Sequence, residues 1–549
     1  MRRIDWLAGL VALLAGGAAA GLGACFSAGT DDCSKYPEDG VCKGWGTSSS
    51  SGTTGTGGQP PLKCEGAPNA MNDVEQCAVF VAPPSAADAG PGEGTPTSPY
   101  TSLQKAIQSA GSKAKVYACK GSFDETVKIS SKVEVYGGFD CSQMPWGLPP
   151  ANPTPMQMTA LTTAPGSVPL TVATGAAGTV VSGFAITSGS LSGMTTGASS
   201  IAMVVDANVS LESSALTAGD ASDGAAGTSP AADPTLDGAT GKSGADTCSA
   251  GGTHTGGAGQ TNMCPDGNSS MSGKGGDGGD SMGDPAGSGA NGSASPIAMP
   301  VGTADGKGGL GEGQPTAPVC VNGDTGAPGA VGGSGTGATG AGTITAGSYQ
   351  GAPGVDGKGG DPGEGGGGGG GAKGLASGMC NGSTVTNLAG ASGGGGGTGG
   401  CGGKGGSAGQ PGGSSIALLV FNADVTLTNV TLAAGKGGTG GDGGSGQSGG
   451  AGGNGGPNGA GGPADAACSV GNGGKGGNGG PGGGGQGGHS LGIAFKGTAA
   501  PKGGTFMITP TNKGSGGSGG MNNTAANNGQ GADGMAANCW DFGKNAACN

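Results

Sequence analysis

A chain of 549 residues is long enough to bury a large core, yet 140 of its residues are glycine, only 3% are aromatic and 11% are charged, so an ordinary globular packing is excluded and the glycine demands a special architecture. The formal charge is −13, or −14 once Arg2, Arg3 and Asp5 are removed with the leader, and no arginine follows Arg3. An acidic body without arginine has no means of gripping a phosphate backbone, which excludes nucleic acid as a partner, and the low charge density excludes a highly charged disordered tail.

Arg2 and Arg3 open the chain, and an uncharged stretch of apolar and small residues runs from Trp6 to Gly23. This is the build of a secretory signal over residues 1–24. The stretch ends Leu22-Gly23-Ala24-Cys25, which resembles the lipobox of bacterial lipoproteins. The resemblance implies cleavage before Cys25, a lipid on its thiol and membrane attachment through it. Phe26 follows in place of an inner-membrane-retaining Asp, and so the resemblance points to the outer membrane or cell surface. Residues 25–61 hold the anchor and a tether, whose segment 44–61 (GWGTSSSSGTTGTGGQPP) has the composition of a flexible linker.

With Cys25 set aside, 14 cysteines remain, an even set that suggests disulfides in an exported chain. Short loop lengths favour the local pairs Cys33–Cys42, Cys64–Cys77, Cys119–Cys141, Cys248–Cys264 and Cys539–Cys548. Zinc is disfavoured because there is no CxxC pair and His254 and His489 are the only histidines. No metal and no cofactor are expected.

Residues 62–219 begin with a cysteine-containing approach segment. Tyr100, Leu103, Ala106, Ile107 and Ala110 then share one helical face, with Ser98 as the expected N-cap and Pro99 in the first turn. Strand periodicity follows in 115–121 and 126–138, where Val127, Ile129, Val133 and Val135 alternate with polar residues. The run SPYTSLQKAIQSAG, then VYACKGSFDETVKI with Gly121, Phe123 and Glu125, then VEVYGGFDC, is similar to the cap and first coils of right-handed parallel β-helix proteins of the pectin-lyase-like kind. The similarity covers roughly residues 95–145. It implies an all-β solenoid whose open end is plugged by a short amphipathic helix, and says nothing of activity.

An internal repeat supports stacked coils independently. Residues 199–219 align with 414–435 after one insertion near Phe421, matching Ile201 with Ile416, Ala207 with Ala423, Val209 with Val425, Leu211 with Leu427 and Leu216 with Leu432. Each copy is expected to be two short strands around a polar turn. Residues 170–190 are a looser relative, and 490–497 with 504–514 another. A coil of about twenty residues cannot bury its own apolar face, so copies must stack. The absence of tight two-residue turns speaks against a sandwich of hairpins.

Glycine-rich stretches at 220–413 and 436–488 separate the coil at 414–435 from its neighbours; 489–549 forms the last coil and a cysteine-containing tail. Glycine recurs at every third position over 323–335, 351–369 and 437–455, a register that breaks at Ala338, Ala372 and Asn458. The breaks and the sparse proline exclude collagen. Two states stay open: disorder, or polyglycine-II-like strands with three residues per turn that touch wherever glycine stands. The composition resembles the GGx-rich regions of glycine-rich bacterial surface proteins of the PGRS type.

The candidates for chemistry are few. Asp206 and Asp424 fall at neighbouring aligned corners of the repeat with Glu212 close by, as a glycosidase pair would; solvent-facing corners are the favoured reading. His254 and His489 lie in glycine-rich context without a GxSxG elbow. Gly241-Lys242-Ser243 lacks a preceding strand, and GGTGGDGG at 437–444 lacks the apolar position of calcium-binding nonapeptides. The sequence therefore points to an exported, lipid-anchored surface protein with a structural or adhesive, non-catalytic role, its partners the membrane and an extracellular glycan or matrix. A carbohydrate-binding or polysaccharide-degrading solenoid is the competing expectation.

Overall fold

The computed structural model describes residues 77–84, 92–113, 115–142, 144–249, 253–280, 284–295 and 306–548, all within one compact unit spanning Lys63–Asn549. The lipobox and the 44–61 tether lie outside the described residues, as do Cys33, Cys42 and Cys64. Among the described residues, no helix is long and apolar enough to cross a membrane.

The fold is mostly β, with three large sheets whose main strands all pair in parallel. The first sheet runs, in order, Ala78–Val81, Lys115–Cys119, Glu134–Phe139, Thr179–Ser182, Val209–Glu212 and Val425–Thr428. In the second, Val127–Ile129, Leu170–Val172, Ser200–Val205, Ser415–Phe421, Ser490–Lys496 and Ala536–Asp541 succeed one another, and Ala546–Ala547 closes its edge antiparallel. The third holds Gly121–Asp124, Thr159–Thr162, Phe184–Thr187, Ala215–Ala218, Thr431–Ala434 and Thr505–Met507. From Gly121 to Ala434 the chain visits the third, second and first sheets in turn, again and again, so each circuit lays one strand on each sheet; in the last circuit a single bridge, Thr426 to Lys502, takes the place of the first-sheet strand. Parallel neighbours require such long crossovers, because a tight turn joins only antiparallel strands.

The internal repeat pairs with itself in register. Ile201 lies opposite Ile416, Val209 opposite Val425 and Leu216 opposite Leu432. The pairing offset changes by one residue between Val205↔Val420 and Val209↔Val425, where the extra residue was expected. Each copy contains three strands and not two. The second break is a single residue in the left-handed region, Ser213 (φ 42°) or Asn429 (φ 53°), which turns the chain too sharply for hydropathy to register. Stacked Val127, Val172, Met203, Val205, Leu211, Leu216, Leu418, Leu427 and Leu432 fill the space between the sheets. Each such side chain contributes about 1.5–3 kcal/mol relative to exposure.

Two strand groups are apolar on both faces, and each has a cover. Phe80, Tyr117, Phe139 and Trp146 pack outside the first sheet. Outside the second, Ile201, Val204, Ile416, Leu419 and Leu491 lie beneath Ile344 and Tyr349 of the hairpin Thr343–Thr345/Ser348–Gln350. Hence Ser200–Val205 and Ser415–Phe421 read as continuous apolar runs, as strands buried on both faces must.

Helix α1, Leu103–Ser109, buries Leu103, Ala106 and Ile107 and contacts the first strands of the first and second sheets. It begins later than expected, with Ser102 and not Ser98 as N-cap. Tyr100 is held in extended backbone by its pairing with Phe80 and Ala82, and the Lys105 N–H donates to Ser102 Oγ at 3.2 Å. Glu125 completes the cap. Its carboxylate accepts from Leu103 N–H (2.6 Å), Gln104 N–H (3.3 Å) and Ser102 Oγ (2.8 Å), taking up donors that a helix start leaves unpaired. Glu125→Ala is expected to cost about 2–3 kcal/mol, and Glu125→Gln about half as much, because hydrogen bonds to a charged acceptor are the stronger kind. Chemical denaturation of the two variants checks this; equal losses would show that the charge is idle.

The glycine-rich stretches are built into the same unit. Most of this backbone lies outside helix and strand, so its N–H and C=O groups must find partners sideways. Here they do, at three-residue intervals. Gly326, Gly329, Gly332 and Gly335 donate to Asn472, Lys475, Asn478 and Pro481, while Gly400, Gly403, Gly406 and Gly409 donate to Gly474, Gly477, Gly480 and Gly483. Gly473, Gly476, Gly479 and Gly482 donate in the opposite sense to Gly453, Gly450, Gln447 and Gly444. The ladder continues through two of the lettered breaks, since Ala338 donates to Gly484 and Ala372 to Ala391.

Glycine density follows neighbour density. The 326–335 stretch needs one glycine per triplet, and the GGx stretch 399–406 needs two. The run Gly365–Gly371 has no other residue because it donates to 287–293, 324 and 394–397 and accepts from 273–276, 309–312 and 468–471. A Cβ on Gly366, Gly367 or Gly368 would overlap the carbonyl oxygen of Gly471, Lys307 or Lys274 respectively.

Candidate functional site

The described cysteines form long staples more than local loops. Cys119–Cys141 and Cys539–Cys548 pair as loop length suggests. The expected Cys248–Cys264 pair does not form. Cys248 bonds Cys380, Cys264 bonds Cys401 and Cys320 bonds Cys468, across separations of 132, 137 and 148 residues. Lateral association of glycine strands carries distant segments together, and loop length cannot register that. Cys77 is disulfide-bonded as well.

The carboxylates singled out at the repeat corners lie in different surroundings. Asp424 is exposed and opposes Asn208, exchanging a 2.9 Å bond from its own N–H to Asn208 Oδ1 and one of 3.4 Å from Asn208 Nδ2 to its carboxylate. Asp206 is half-buried under the hairpin tip at Gly347, and its Oδ1 has no hydrogen-bond partner. Burial raises its carboxyl above the ordinary carboxylate range, with the Gly347 N–H and Lys128 pulling more weakly the other way. Glu212 is half-buried on the first sheet.

Both histidines are engaged by backbone. His489 Nδ1 accepts from the Met535 N–H at 2.9 Å, which leaves the proton on Nε2 to donate to the Ala341 carbonyl at 2.8 Å. Tyr349 and Phe542 flank the ring, and burial lowers its pKa from the usual value. His254 is buried with its ring nitrogens 2.9 Å from Gly390 O and 3.2 Å from Ser249 O. The remaining motifs are backbone too: the Gly241 N–H donates to Asn454, the Lys242 carbonyl accepts from Gly395, and Asp442 Oδ1 accepts from Ser518 N–H at 2.7 Å.

That last contact belongs to a pattern composition alone did not expose. Asp220, Asp223, Asp237 and Asp246 accept at 2.6–2.7 Å from the N–H groups of Lys436, Thr439, Ala451 and Ala460. What the glycine ladder leaves over at its edges is donors, and a carboxylate is a strong acceptor for them. Acidity here therefore serves backbone satisfaction.

One surface hollow is formed by uncharged polar groups. It has a volume of about 470 Å³ and is lined by Ser518, Met521, Asn522, Asn523, Asn527, Asn528 and Gln530 with intervening glycines. Asn523, 7% exposed, ties its floor down by donating to Gly335 O (2.8 Å) and Gly482 O (3.0 Å) and accepting from Ala525 N–H. No sequence motif marked it, since scattered Asn in a Gly-Ser-Asn stretch reads as a loop. Among the described residues no group of three or more His, Cys, Asp or Glu is placed to hold a metal ion. Compared with family models, curated proteins and solved structures, the chain finds no match.

Proposed function

We propose that the protein is an exported lipoprotein, attached to the outer membrane or cell surface through Cys25, and that its body is a rigid structural and adhesive element. In this reading the body is a right-handed parallel β-helix, plugged at its N-terminal end by helix α1 and widened by polyglycine-II-like bundles. The observation that carries the structural role is the continuity of hydrogen bonding: coils and glycine strands form one unit cross-linked by long disulfides. Both histidines are spent on backbone groups and Asp424 is paired with Asn208, which favours this reading over a polysaccharide lyase or glycosidase.

Two readouts test it. Labelled palmitate is expected to enter the wild-type chain and to be lost in Cys25→Ser, which accumulates with its leader uncleaved. Protease added to intact cells is expected to release a disulfide-linked body by cutting the 44–61 tether. Labelling of the Cys25→Ser variant would remove the anchor, and full protection of the body until the outer membrane is broken would remove the surface placement.

A further inference from the structure

We propose that the hollow lined by residues 518–530 is a binding site for a neutral polyhydroxylated ligand, the sugars of an uncharged glycan. The inference gives the adhesive role its ligand class and rests on that reading.

The lining chemistry selects the ligand. Asn522, Asn527, Asn528 and Gln530 are exposed around the buried Asn523, and no acidic or basic side chain lines the hollow. Each amide offers acceptor and donor atoms at fixed separation, which suits hydroxyls that both give and take hydrogen bonds. An anion or cation would find no countercharge there. Met521, 75% exposed at the rim, supplies an apolar surface for the C–H face of a sugar ring.

The backbone holds these amides in place. Asn522, Asn527 and Asn528 have φ of 60°, 54° and 53°, the left-handed region where a Cβ is disfavoured and glycine is free. This chain uses glycine at 140 positions, yet keeps a side chain at all three. The other left-handed asparagines, such as Asn381 and Asn429, stand one to a turn; here three surround one hollow. The floor is fixed by Asn523 to two separate glycine strands, and Thr524 N–H donates to Ser334 Oγ at 3.1 Å. Walls held this way are preorganised, which lowers the ordering cost of binding.

The test uses the full chain and saturation-transfer NMR with maltotriose, cellotriose and triacetylchitotriose as neutral probes and trigalacturonate as the anionic one, each to about 20 mM, above the millimolar range of a shallow site. At least one neutral trisaccharide is expected to bind and trigalacturonate to be ignored. The double variant Asn527→Gly/Asn528→Gly keeps the backbone conformation and deletes the amides; it is expected to weaken binding by about tenfold or more at an unchanged melting temperature. Gln530→Ala, at an exposed side chain, gives the same readout should the double variant fold poorly. Absence of binding by all three neutral probes, preference for trigalacturonate, or undiminished affinity in the folded variants overturns the proposal. None of these outcomes touches palmitate labelling at Cys25, so the glycan site and the anchor stand or fall separately.

Discussion

Gly368→Ala is expected to destabilise the body by roughly 3–5 kcal/mol, whereas Gly333→Ala leaves it within about 0.5 kcal/mol of wild type. The two substitutions add the same methyl group to the same type of backbone. At Gly368 the new Cβ would fall on the carbonyl oxygen and carbon of Lys274. That oxygen cannot turn aside, because it accepts from Ala290 N–H, and Gly368 itself donates to Ala290 and accepts from Gly309. At Gly333 the nearest atom is the flexible Lys358 Cδ at 3.7 Å, an ordinary contact. The loss of unfolded-chain freedom even favours alanine there. Thermal and denaturant unfolding of both variants gives the comparison, and hydrogen exchange at Gly273, Gly276, Gly309 and Gly371 reports whether the neighbouring strands open. Equal stabilities would mean that the glycines of the run are compositional and not packed.

The triplet pattern shows what was legible in the sequence. Glycine at one, two or three positions of each triplet states how many sides of a strand are approached. Which strand approaches was not legible, for glycine faces are all alike. Gly473 meets Gly453 and Gly474 meets Glu364 with nothing in their own side chains to distinguish them. Partner choice shows only in the flanking residues, such as the Asp220–Lys436 and Asp223–Thr439 contacts that align the first glycine stretch beside the second. Those contacts continue the 216-residue offset of the repeat beyond its last strand. Layer stacking thus extends from the apolar coils into the glycine strands.

The coils were the more legible part because Val, Ile and Leu ladders carry a period. Ile201, Leu211 and Leu216 could be matched to Ile416, Leu427 and Leu432 from residue type alone. The turns between strands could not. A one-residue left-handed turn at Ser213 or Asn429 leaves no trace in hydropathy. The covers over the outer sheet faces were hidden for another reason: Ile344 and Tyr349 come from a hairpin distant in sequence from the strands they bury. The Asn522–Asn528 hollow escaped because its signal is conformational, left-handed residues bearing side chains, and no composition displays it.

Removing the Cys320–Cys468 bridge by paired serine substitution is expected to cost about 3–5 kcal/mol, more than removing Cys539–Cys548. In the chain-entropy account a crosslink stabilises by restricting the unfolded chain, and the effect grows with the logarithm of the loop; a closure of more than a hundred residues contributes about 5 kcal/mol and one of nine residues about half that. The separations here are 148 and 9. The argument has further force in this chain because glycine is the residue with most freedom to lose on folding, and the long bridges enclose its glycine-rich stretches. Lateral hydrogen bonds between glycine strands bring no side-chain burial with them, so restricting the unfolded state is the remaining lever on their stability. Denaturant unfolding of the two double variants measures the difference, with non-reducing peptide mapping to establish that Cys248 is joined to Cys380 and Cys264 to Cys401. A larger loss from the nine-residue loop would refute the entropic account, and a Cys248–Cys264 peptide would refute the association of strands that sets the long loops in the first place.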